Sequence, residues 1–442
     1  MRAAWSLVVF ALGTAAARAE LVPLGSCGPV DRRHDHVEVI GATLHGLGKT
    51  PLARFGVVAF RDGEGAPIPF EIDERRGRKV MVSGPAIEEA DHRPGQFDFD
   101  DGLVFMPCDA GDEPPAAVRD AYLGRLGATA WREVRIEDTL TERRAYAYVV
   151  VAETPPTTSR RYIEYDARDV VRTAGYRIAM DQALPARFFL PGLGDRNLLD
   201  GLRLRAHVTW LANLIQTTIT ERDARHRLLA WHDGPIRAVR RSQHDVHVVL
   251  GIHLSAGVAT SYFYALHLGG PGKMRLPISP GTLFGKVTAA AGVDLQGLEG
   301  WRYRGAGRSE ELHIDGHTSP EETTFDALGT WFLMIGEHEA LLTALKLSPN
   351  LSQALPLHLL YADDATRADP PEATVGSVPL VGYRADAIEK LPAGYYEFEF
   401  RVFVLPEYRP GDERRVLDAF ATPLRVSVTD PAASEVAPAP HP

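Results

Sequence analysis

Tyr395-Tyr396-Glu397-Phe398-Glu399-Phe400-Arg401-Val402-Phe403-Val404 decides the fold class. Side chains alternate across a strand, so the even positions form one apolar face while Glu397, Glu399 and Arg401 share the other. The same period of two recurs upstream. Leu202 to Trp210 reads Leu-Arg-Leu-Arg-Ala-His-Val-Thr-Trp, and Gln216 to Glu221 alternates Thr with Ile. Arg227 to Trp231 runs into the turn Asp233-Gly234-Pro235, and Ile236 to Arg240 leaves it. His244 to Ile252 and Ser261 to Leu268 are further β-type runs. This spacing predicts a mostly-β chain of antiparallel sandwich domains, or one large supersandwich, with few short helices. Leu424 to Val428 is expected to pair with the Tyr395–Val404 strand.

The first third reads the same way. His36 to Ile40, Arg54 to Phe60, Ile68 to Asp73 and Leu103 to Met106 are short strands. Trp131 to Ile136 and Ala145 to Val151 form a hairpin pair around Asp138–Arg144. Helix is expected over Ala116 to Leu126 and Thr282 to Ala291. Trp331 to Leu347 reads either as helix from Glu337 or as strand, turn and strand. The break Pro155-Pro156-Thr157-Thr158-Ser159 divides an N-terminal β-domain (20–155) from a larger one (160–429) that includes the C-terminal strands. The Ala- and Pro-rich residues 430–442 read as a disordered tail.

Residues 1–19 predict a secretory signal. Arg2 is followed by the apolar run Trp5 to Leu12, and Ala17-Arg18-Ala19 precedes Glu20. The run is too short for a stable membrane span, and no later stretch reaches that length. The expectation is an exported bacterial protein, periplasmic or extracellular, cleaved after Ala19. Leu24-Gly25-Ser26-Cys27 resembles a lipobox, but Arg18 and Glu20 intervene between it and the apolar run. The chain has two cysteines, Cys27 and Cys108. In an oxidising compartment they predict one bridge, worth on the order of 4 kcal/mol by loop-closure entropy.

A net charge of −10 with no basic stripe argues against a nucleic-acid partner. Nucleophile elbows, Ser-x-x-Lys sets and phosphate-binding loops are absent. The densest acidic stretch is Phe97-Asp98-Phe99-Asp100-Asp101-Gly102. Asp98, Asp100 and Asp101 offer hard oxygen donors that suit calcium, against the plainer reading of a polar turn capping backbone amides. Otherwise no cofactor is expected. His34-Asp35-His36, the set His244, His247 and His253, and the pair His313 and His317 match no named metal spacing. In Asp233 to Arg241 the turn precedes Arg237, Arg240 and Arg241. These could present a cationic face to uronic acids, or simply be the outward positions of a hairpin.

Two stretches taken together carry a resemblance. Pro67-Ile68-Pro69-Phe70-Glu71-Ile72-Asp73-Glu74 is followed by Asp100-Asp101-Gly102-Leu103-Val104-Phe105-Met106, and both precede Asp233-Gly234-Pro235-Ile236-Arg237-Ala238-Val239. They resemble segments of exported bacterial β-sandwich proteins, some of the galactose-mutarotase-like kind associated with glycan metabolism. The resemblance implies β architecture and transfers no catalytic residue. The sequence reading is an exported, non-catalytic binding or structural module of the cell envelope, with a glycan or another envelope protein as partner. Its rival is a carbohydrate-active enzyme with a sandwich-based cleft.

Overall fold

The computed structural model describes residues 20–430 except 78, 81, 83–90, 167, 182, 211–213, 249–251 and 368–375. The chain is mostly antiparallel β, with 49% strand and 14% helix and no closed barrel. The expected signal, 1–19, and the expected tail beyond Asp430 lie outside the described residues, while Asp430 itself pairs with Arg132 at 3.1 Å. Among the described residues no helix is long and apolar enough to cross a membrane.

The N-terminal sheet is built on the expected hairpin, Ala130–Asp138 against Arg143–Val151. Phe55–Arg61 pairs with its inner edge, and Glu64–Pro67 follows. A second layer, Val37–Ile40, Gly102–Phe105 and Phe70–Asp73, packs against one face through Val37, Val39, Leu103 and Phe105. The opposite face carries the helix Ala116–Arg125, whose Leu123 meets Val58, Phe60, Tyr148 and Val150. Both faces are covered, which explains why Phe55–Phe60 and Ala145–Val151 are continuously buried rather than alternating. Cys27 and Cys108 form the expected disulfide, with Cα atoms 4.2 Å apart.

The larger part holds three sheets around one core. A nine-stranded sheet runs from Ala224–Asp233 through Ala238–Val248, Ile252–Phe263, His267–Leu276, Gly394–Pro406, Glu339–Leu347, Trp331–Ile335 and Arg302–Gly305 to Leu312–His313. A five-stranded sheet centres on Leu199–Trp210 and Val287–Leu295, and a four-stranded one spans residues 163–189. Tyr303, Phe332, Ile178, Leu298 and Val381 fill the space between them.

Two expectations change and one open alternative is decided. Arg425–Thr429 does not pair with Gly394–Pro406. That strand is already flanked by His267–Leu276 and Glu339–Leu347, so the C-terminal strand crosses back to the free edge of Ala130–Asp138. The N-terminal sheet is therefore completed by the end of the chain. Thr282–Ala291 is not a helix: after a single turn at Pro280–Thr282, Val287–Leu295 is a strand between two others. Trp331–Leu347 resolves as two strands around Gly336–His338. The helix Asp412–Ala421 then packs Val416 and Phe420 onto Leu333, Leu342 and Leu405. Arg32 pins the end of that helix to the N-terminal sheet. Its guanidinium donates to the carbonyls of Ala419 and Thr422 and to Asp138.

Candidate functional site

The arginines after the Asp233–Pro235 turn do not form a surface. Arg237 is 2% exposed. It donates to Tyr264 Oη at 2.8 Å and to Asp73, its Nε lies 3.2 Å from Glu71 Oε1, and it stacks over Tyr262. Arg75 shares Asp73 at 3.0 Å and reaches Glu38 at 2.6 Å. Glu71 Oε2 accepts from the backbone N–H groups of Ile236 and Arg237. Any Cβ at Gly234 would lie 1.8 Å from that oxygen, so the turn needs glycine. Arg240, 3% exposed, donates to Asp169, and Arg241 is half buried. Burying a guanidinium without an anion is prohibitive, so the strand turns Arg237 and Arg240 toward the carboxylates behind it. The expected uronate-binding face is thus corrected to a buried joint between the two parts of the molecule.

Titration in this joint is strongly displaced. Burial, then the Asp73 charge, pushes Glu71 up to about 8 against the pull of Arg237. Burial also pushes Asp73 up, but Arg237 and Arg75 outweigh it and hold that carboxyl below its usual range. His36 stacks on Tyr264 at 4.7 Å, and Tyr264 on His267 at 4.3 Å. Burial, then the neighbouring arginines, holds His36 well below the usual imidazole range. His34 is turned away to the Val404 carbonyl, so it does not converge with His36 on one ligand. His244 meets His226 and Ser242. His247 and His253 face each other in backbone register, their side chains lying outside the described residues. His313 and His317 are exposed and gather no further ligand among the described residues.

The acidic turn is split. Asp101, fully buried, accepts the N–H groups of Arg75 (3.0 Å) and Asp98 (2.8 Å), the amide-capping role of the plainer reading. Asp98 and Asp100 are also buried, but the carboxylate that joins them is Asp91, not Asp101. Phe97 and Leu103 are fully buried while Phe99 is 63% exposed, so the turn is held from both ends.

Two open cavities lie among the described residues. One, of about 460 Å³, is lined by Glu299, Glu337, Glu339, Glu407 and His338, with Trp301 largely buried behind them. Burial raises Glu339. The other, of about 680 Å³, lies between the helix Asp412–Ala421 and the strands Arg302–Gly305 and Trp331–Ile335. Half-buried Trp331 lines it with Arg304, Arg308, Arg414, Glu413 and Asp418. Arg304 is tied to Glu413 at 2.6 Å, yet its Nε is buried without an acceptor. Arg308 leans over Phe325 and donates to the Asp326 carbonyl at 3.5 Å. It lies near enough to the Asp326 carboxylate to add, after His358 and Arg384, to the pull that lowers it, without a direct ion pair among the described residues. Exposed Arg414 likewise makes no ion pair there. On a chain of net charge −10, this is a local cationic groove with an aromatic wall. Its residues come from three separate elements, so no sequence spacing announces them. Trp331 and the arginines of 302–308 were the available signal.

No protein-family model matches the chain, and no curated protein matches it. Among solved structures it is similar to an α-mannosidase from Enterococcus faecalis V583, with a TM-score of 0.48 and 8% identity over 89% of this chain and 44% of that one. It is also similar to a glycosyl hydrolase family 38 protein from Enterococcus faecalis, with a TM-score of 0.47 and 10% identity over 89% of this chain and 45% of that one. The chain spans less than half the length of either.

Proposed function

We propose that this is an exported binding module for acidic glycans, and that the Trp331 groove is its ligand site. The carrying observation is that partly buried Trp331 lines the groove together with Arg308 and Arg414, two exposed arginines that form no direct ion pair among the described residues. An indole offers a flat apolar surface to the C–H face of a sugar ring, and a guanidinium binds a carboxylate or sulfate through paired N–H donors. Exposed Asp418 supplies an acceptor for sugar hydroxyls, while Glu413 is held by Arg304, Tyr408 and the Gly411 N–H and shapes the groove. A glycan array probed with the full chain tests this. Retention of uronate-bearing or sulfated oligosaccharides over neutral ones is expected. Binding to neutral glycans alone, or to none, overturns it.

A carbohydrate-active enzyme is the second reading, favoured by one feature. In the other cavity Glu339 has the raised affinity for its proton that a general acid needs, beside the carboxylates of Glu337 and Glu407. Turnover of any array ligand that is lost in Glu339→Gln would support it.

A further inference from the structure

We propose that Asp91, Asp98 and Asp100 form a calcium site that locks the loop entering the strand Gly102–Phe105. One carboxylate oxygen from each lies within 4.8 Å of the others. Asp98 and Asp100 are 5% and 7% exposed, and Asp98 Oδ2 and Asp100 Oδ1 are buried with no hydrogen-bond donor. Each side chain is anchored by its second oxygen: Asp98 Oδ1 accepts from the Asp100 N–H at 3.2 Å, and Asp100 Oδ2 accepts from the Gly77 N–H. Asp91 accepts from the N–H groups of His92 and Arg93, which fixes its carboxylate from the other side.

Buried carboxylate oxygens need a donor or a cation. Without an ion, Asp98 and Asp100 can satisfy each other only by sharing one proton between their side chains, which a bound cation would displace. No lysine or arginine makes an ion pair with these three among the described residues. The donors are all hard oxygens, with no imidazole or thiolate among them, which selects calcium or magnesium over zinc or copper. Calcium accepts irregular carboxylate geometry and completes its shell with carbonyls and water, whereas magnesium demands a near-ideal octahedron. The three carboxylates sit on an irregular turn whose shape is set by Asp101 and Phe97, and this favours the larger ion.

The test uses the full chain stripped with EGTA, titrated with calcium or magnesium by calorimetry and melted with and without each ion. One calcium per chain is expected, with Kd on the order of 10⁻³ M or tighter and magnesium at least about tenfold weaker. Melting should move upward in calcium. Asp98→Asn and Asp100→Asn should each weaken calcium at least about tenfold. The half-buried Asp91→Asn should do the same, and it keeps the test valid if the buried variants fail to fold. Absence of calcium heat and of any melting shift up to about 10 mM overturns the proposal. So does calcium binding that Asp91→Asn leaves unchanged. An Asp98→Asn chain that is more stable than wild type in EGTA, while wild type ignores calcium, would mean the carboxylates are hydrated only.

Discussion

Arg237 is ion-paired with Asp73 although 164 residues separate them, and both are almost wholly buried. Asp73 ends a strand of the N-terminal part, and Arg237 follows the hairpin turn of the nine-stranded sheet. The pair joins the two parts through charge as well as through apolar contact. Replacing Asp73 with Asn leaves Arg237 and Arg75 facing each other without their shared anion. Loss of about 3–5 kcal/mol in denaturant unfolding is expected. Arg237→Met should be milder, since it removes the cation that needs the anion. Equal, small effects from both would show that the joint is held by packing alone.

Glu71 gives the joint a pH dependence of known sign. Its folded value of about 8 exceeds its ordinary 4.5, so the folded state holds a proton that the unfolded chain releases. This contribution is full below about pH 4.5 and is lost as pH rises through about 8. Glu71→Gln keeps an oxygen for the Ile236 and Arg237 amides and does not titrate. Wild type should therefore lose stability relative to Glu71→Gln between pH 5 and 9, by an amount on the order of 2–4 kcal/mol. Parallel stability curves would refute the assignment.

The disulfide closes a loop of sequence separation 81 between the N-terminal segment and the turn after Gly102–Phe105. Cys27→Ser with Cys108→Ser should lower stability by about 4 kcal/mol through the entropy returned to the unfolded chain. Urea midpoints of the oxidised and double-Ser proteins measure it. A difference under about 1 kcal/mol would mean that the reduced chain is already constrained there.

Arg425–Thr429 covers the edge of Ala130–Asp138 through five register pairs. A chain ending at Pro423 should expose that edge and the apolar surface that Leu424 and Val428 shield. Unpaired edges recruit other chains, so concentration-dependent association is expected by light scattering. A truncated protein that stays monomeric and melts like wild type would show the strand to be dispensable.

In the Trp331 groove, Arg308→Ala with Arg414→Ala should weaken acidic-glycan binding at least about tenfold, and added salt should mimic the double variant. Trp331→Ala should weaken binding with little change in its salt slope, because stacking is not screened. An affinity unmoved by all three substitutions places the ligand elsewhere.

Local chemistry made much of this molecule legible in its sequence. Alternation at Tyr395–Val404 and Leu202–Trp210 marked strands, because a side-chain period of two can bury only one face in an antiparallel sheet. The only two cysteines left one intramolecular pairing to consider. Position in the fold was another matter. Nothing in Arg425–Thr429 says which strand edge is free, since that depends on His267–Leu276 and Glu339–Leu347 having already occupied the nearer partner. Arg237 reads as a surface arginine until Glu71 and Asp73, more than 160 residues upstream, are folded against it. Asp91, seven residues before Asp98, lies with Asp98 and Asp100, while adjacent Asp101 spends its oxygens on backbone amides instead. Strand formation follows from the neighbours along the chain, whereas burial and charge pairing follow from neighbours that only closure of the fold supplies.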